Sequence, residues 1–129
     1  MSAASMTAAA RALLDALDDA QREKASYALA DERERTRWAY FPPRWNGLPL
    51  LEMRPDQQRL VHYLLTELLS LHAFAQVQAI QALEHVLNEI EGRRGAAVRD
   101  PLRYFVTFFG TPGDAAWGWR FEGHHVPIH

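Results

Sequence analysis

Residues 104–129 read YFVTFFGTPGDAAWGWRFEGHHVPIH. Tyr104 to Gly110 are β-branched or aromatic almost throughout, so this segment reads as a strand that is apolar on both faces. TPGD, Thr111 to Asp114, is a turn, and WGWRFEG, Trp117 to Gly123, is the partner strand of a hairpin. Alternation places Trp117, Trp119, Phe121 and Gly123 on one face, and Gly118, Arg120, Glu122 and His124 on the other. A two-stranded hairpin is marginal by itself, and a strand with two apolar faces needs cover on both. The hairpin over 102–125 is therefore expected to begin a larger sheet. His129 falls in a segment that still reads as strand. Residues 1–129 are accordingly expected to form the N-terminal part of a single larger domain, with a C-terminal part of the same chain as partner.

Upstream, Arg93 to Pro101 read as a linker, and residues 5–92 carry helical periodicity. Ala10, Leu13, Leu14 and Leu17 recur at helical spacing behind Ser5 or Thr7 as cap. Asp18 and Asp19 offer an N-cap for a short helix over 20–30. The run DERERTR, Asp31 to Arg37, is polar throughout and reads as a solvated helix end or loop. Behind Pro55, Leu60, Val61, Leu64, Leu65, Leu68 and Leu69 form an amphipathic stripe. Phe74, Val77, Ile80, Leu83, Leu87 and Ile90 form another, stopped near Gly92. Between these sets lies WAYFPPRWNGLPLLEM, Trp38 to Met53. Pro42-Pro43 cannot sit inside a helix and Asn46-Gly47 marks a turn. The segment reads as an ordered loop that buries its rings across the helices, with a short extended piece at 38–41, or as a pocket wall. The fold class is α+β: about four helices, then an antiparallel hairpin.

Composition limits the functional classes. A chain of 129 residues, 48% hydrophobic and 23% charged, suits one modest globular domain. The net charge of −2 gives no field that favours nucleic acid or an anionic membrane. The absence of cysteine excludes disulfides, thiolate metal sites and cysteine nucleophiles. The first residues have no basic stretch before their apolar run, which Arg11 and Asp15 interrupt, so they read as a helix and not as a signal peptide. No segment is long and apolar enough to span a bilayer. A cytoplasmic location is expected.

Chemistry is expected at the end of the hairpin. If strand alternation continued, His125 and His129 would share the Trp face, and two such imidazoles can converge on a divalent metal. Glu122 can be a ligand, a general base or the group that orients an imidazole. Structural hydrogen bonding is the competing reading for the histidines, and an ion pair for Arg120 with Glu122. His85 and Glu89, with Glu84 and Glu91 nearby, read as a solvated helix face. His62 and His72 read as structural.

These residues assemble into a familiar order. It runs from WxYxPPRWNGLPL at Trp38 to Leu50 and QQR at Gln57 to Arg59, through ALExxL at Ala82 to Leu87 and RDPxxY at Arg99 to Tyr104. FGxP at Phe109 to Pro112 and WGWRxEGHH at Trp117 to His125 close it. From about residue 10 to the last residue the chain resembles the N-terminal portion of a family catalogued as domain of unknown function 3500. The resemblance implies longer family members and no particular reaction. It also implies two recognisable polar clusters, Glu122–Gly123–His124–His125 and Arg44 with Gly47. At the place of His129 the family resembled carries asparagine in a Leu-Ser-Leu-Asn run, where this chain has Val126, Pro127, Ile128 and His129. That departure weakens a three-histidine site and favours His124 and His125.

The expected function is a hydrolase-like or metal-dependent enzyme, with Glu122, His124 and His125 as catalytic residues and Arg44, Trp45, Trp119 and Arg120 contacting a small-molecule substrate. His124, His125 and His129 are the candidate ligands of a divalent metal. The alternative is a non-catalytic module whose Trp-rich hairpin binds a small molecule or a protein by stacking.

Overall fold

The computed structural model describes residues 2–39, 45–91 and 99–129. Helix α1 (Ala3–Ala16) starts at Ser2, which forms a capping box with Ser5, one turn ahead of the expected start. Helix α2 (Asp19–Ala25) starts at Asp18, whose side chain accepts from the Gln21 amide. It ends at residue 25 because Ser26 and Tyr27 leave as strand β1 (Ser26–Tyr27). Helix α3 (Glu32–Thr36) follows the N-cap Asp31. Strand β2 (Leu48–Pro49) comes next, then helices α4 (Pro55–Thr66) and α5 (Leu71–Ile90). Strands β3 (Phe105–Phe109), β4 (Gly118–Gly123) and β5 (Val126–Ile128) complete the chain. Gly92, residues 93–98 of the expected linker and residues 40–44 of the aromatic loop lie outside the described residues.

The expected hairpin forms, with Val106 opposite Phe121 and Phe108 opposite Trp119. The sheet around it differs from expectation. β1 pairs in parallel with β3 through Ser26 and Phe108, and β2 pairs antiparallel with it through Leu48 and Val106. Both lie on the edge of β3 away from β4, while β5 covers the outer edge of β4. Among the described residues the result is a mixed five-stranded sheet in an α+β fold. The segment expected to be helices and an aromatic loop thus supplies two short strands. β3 demands this, because a strand apolar on both faces must also pair both backbone edges when buried.

The sheet faces two environments. On one side Val106, Phe108, Trp119, Phe121 and Val126 join Ala10, Leu13, Leu64 and Leu65 of α1 and α4 in the core. On the other side Thr107, Arg120 and Glu122 are buried beneath α3 and the segment that follows it. α5 is rotated relative to its expected stripe. Val77, Gln81 and Glu84 face inward, while Leu83 and Ile90 are exposed. Polar contacts account for the rotation: Gln81 Nε2 donates to the Pro101 carbonyl at 3.1 Å, and Glu84 is held by His124.

Gly123 sits where no side chain fits. A Cβ there would stand 2.4 Å from Cδ1 of Tyr104, whose ring stacks on Phe121 and whose hydroxyl donates to the His124 carbonyl at 3.0 Å. Gly123→Ala is expected to destabilise by about 1–3 kcal/mol through overpacking. In a Tyr104→Leu background the same change is expected to cost clearly less. Equal costs in the two backgrounds, measured by urea unfolding, would contradict the contact.

Candidate functional site

β4 carries Arg120 and Glu122 on the face away from α1 and α4, both fully buried. Two unshielded charges there are untenable, since an isolated buried ion costs several kcal/mol. α3 answers them. Arg120 Nη2 donates to Glu34 Oε1 at 2.5 Å and Nη1 to the Glu34 carbonyl at 2.8 Å. Arg37 Nη2 donates to Glu122 Oε1 at 2.5 Å, and Arg37 Nε to Glu34 Oε1 at 3.3 Å. Asn46 Nδ2 donates to Glu34 Oε2 at 2.8 Å. Arg120 also lies over the Phe109 ring, 5.3 Å from its centroid.

The two carboxyls are not equivalent. Burial pushes Glu34 up, but the hydrogen bonds from Arg120 and Asn46 and the charge of Arg37 outweigh it and hold the carboxyl below its ordinary range. Burial pushes Glu122 up, and here Arg120 and Arg37 do not offset it. Arg120 Nε lies 2.9 Å from Glu122 Oε1 without the alignment of a hydrogen bond, and Glu122 Oε2 has no hydrogen-bond partner among the described residues. Alternation along β4 puts Glu122 on the Arg120 face. The polar run DERERTR is therefore only partly solvated, because Glu34 and Arg37 close a buried two-plus-two charge network.

His124 goes elsewhere. β4 ends at Gly123, and residues 124 and 125 form the turn into β5, with His125 in the left-handed region at φ 60°. The turn breaks the alternation that would have put His124 beside Glu122. His124 Nδ1 instead lies 2.6 Å from Oε1 of Glu84, which is buried on α5. Arg99 is held by Glu91 through two bonds of 3.1 Å and brings Nη1 to 3.4 Å from the same imidazole nitrogen. Its hydrogen bond to Glu91 raises Arg99 above its ordinary value and holds Glu91 below its own. Tyr104 closes the base of the cluster, its phenol pushed up by burial and then by the Glu84 charge. The rings of His124 and His125 stand 4.2 Å apart.

The expected site residues therefore divide. His124 and His125 stay together. Glu122 and Arg120 belong to the charge network. Trp119 lies in the core, with Nε1 donating to Met6 Sδ at 3.4 Å. Trp45 packs on Phe105 at 5.7 Å in an open groove of about 520 Å³. Arg44 lies outside the described residues. His129 follows β5, lines an open pocket with Trp117 and Trp119, and is pushed below its ordinary value by burial and then by Arg120 and Arg37. Among the described residues no three His, Asp or Glu side chains come together in a way that could hold a metal ion, so the proposed trio of histidines does not form. Glu34, Arg37, Arg99 and Tyr104 were not expected in these roles, and Glu84, expected near a solvated helix face, is buried. A signal for Glu84 did exist: it lies seven residues after Val77 and three after Gln81, on one helical stripe.

The molecule is thus a mixed-sheet α+β protein with a carboxylate–histidine pair at a strand-to-strand turn. It belongs to the family described as Protein of unknown function (DUF3500), whose model matches residues 1–129, the whole chain. No curated protein and no solved structure gives a significant match. No helix among the described residues is long and apolar enough to cross a membrane.

The unequal carboxyls give a test. Glu34→Gln is expected to cost about 3–5 kcal/mol at neutral pH, as for breaking a buried ion pair. Glu122→Gln is expected to cost clearly less, because the fold already disfavours its charge. The stability due to Glu34 is present above the ordinary carboxylate range and is lost as pH falls through its lowered value. Glu34→Gln should therefore also flatten acid denaturation below about pH 4. Equal costs, or an unchanged acid limb, would contradict this assignment.

Proposed function

We propose that Glu84 and His124 form the acid–base pair of a hydrolase-like enzyme. The observation that carries this reading is the 2.6 Å contact between His124 Nδ1 and buried Glu84 Oε1. A carboxylate fixed on Nδ1 sets the tautomer with the proton on that nitrogen and leaves Nε2 as the basic lone pair. Arg99 is anchored by Glu91 beside the same ring, where it can favour negative charge developing on a bound substrate. His125 supplies a second imidazole from a left-handed backbone position, a conformation that often accompanies function. Glu122 has a positioning role in this scheme, since it fixes the strand that delivers the turn. The same Nε2 is suited to a divalent metal, with Glu84 as the outer carboxylate that orients the imidazole.

A separate observation favours a second reading, a binding module without catalysis. The groove between Tyr27, Trp45 and Phe105, rimmed by Arg103 and by Lys24 paired with Glu52 at 2.7 Å, presents ring surfaces beside charged groups. Such a groove suits a planar small molecule held by stacking.

The first test needs no substrate. Imidazole ¹H–¹⁵N spectra of the wild type are expected to show His124 protonated on Nδ1, and Glu84→Gln is expected to change that signal. An Nε2–H tautomer in the wild type would overturn the acid–base role. Against a panel of carboxyl and phosphoryl esters, His124→Ala is expected to lower kcat by about 10²–10⁴-fold with the fold retained. Equal turnover by wild type and variant, or turnover by neither, would leave the groove reading in its place.

A further inference from the structure

α5 has a second face that neither site uses. Its inward positions include the polar Gln81 and Glu84, while Leu71, Leu83, Val86 and Ile90 are 84%, 54%, 50% and 75% exposed. Exposed apolar side chains aligned along a whole helix mark an interaction surface. Twenty residues at 1.5 Å each make this face about 30 Å long, a shape that another helix matches.

The centre of the face is a regular seam. His72, Ala75, Ala79, Ala82, Val86 and Glu89 are all exposed and follow one another at steps of three and four residues. That is the alternation of a coiled-coil seam, with Leu71, Leu83 and Ile90 flanking it. The seam reads the same from both ends, so a two-fold axis at the helix midpoint, between Ile80 and Gln81, maps it onto itself. Antiparallel pairing then sets His72 against Glu89 of the partner subunit, Ala75 against the partner's Val86, and Ala79 against the partner's Ala82. Small residues meet the larger one, and imidazole meets carboxylate at both ends. A parallel pair would set Glu89 against Glu89, like against like. The helix carries no Lys or Arg to attract an acidic partner. We propose that α5 pairs antiparallel with α5 of a second copy of this chain through its exposed face.

The 129-residue chain is expected to pass from monomer to dimer over micromolar concentrations in sedimentation velocity, in keeping with an interface of small area. Val86→Glu is expected to weaken association more than tenfold with helicity unchanged by circular dichroism. The wild type contains no cysteine, so cross-linking reads the geometry directly. A chain with Ala75→Cys mixed with a chain with Val86→Cys should oxidise to the mixed disulfide, and Ala75→Cys alone should not cross-link efficiently. A monomer at every concentration, association that survives Val86→Glu, or preferential Ala75→Cys self-linkage would each overturn the proposal.

Discussion

Burying Arg120 and Glu122 in the middle of the sheet sets the terms for the rest of the molecule. Neither charge reaches water, so opposite charges must be brought to them. Glu34 and Arg37 are the residues brought. Their arrival fixes a five-residue helix that has almost no means of stability by itself, and Asn46 ties the start of the following segment to the same carboxylate. The polar side of the sheet thus specifies chain path, while the apolar side against α1 and α4 supplies most of the driving force.

The parts of the fold that follow from local periodicity were legible. The β3–β4 hairpin, the TPGD turn, the Asp18 cap and the leucine stripe of α4 each need only neighbouring residues to be read. β1 and β2 were not legible, because two-residue strands have no period and exist only through β3. The orientation of α5 was misread because an apolar stripe was assumed to point inward. Gln81 and Glu84 have partners some 20 to 40 residues away in sequence that outweigh Leu83 and Ile90.

The site shows the same division. EGHH was recognisable as the polar centre of the C-terminal hairpin, and the family resemblance sharpened it. The strand alternation that tied Glu122 to His124 stops one residue too early. Gly123 lies against the Tyr104 ring, His125 turns left-handed, and the motif is split between two opposite surroundings. One half is locked among guanidinium groups, and the other is turned toward a helix. A four-residue signature therefore spans two settings, a buried charge network and a carboxylate–histidine contact.

The way β3 is flanked also governs how this chain comes into being. Its partners at 26–27 and 48–49 are made early in translation, whereas β3 itself is made about sixty to eighty residues later. Until then the helices of the nascent chain must wait around an empty slot, with core leucines and two unpaired strand edges uncovered. Such long sequence separations slow folding, and uncovered edges invite wrong partners. For a ribosome-bound chain, closure of the sheet is thus a late event, and holdase chaperones would have their main opportunity in that interval.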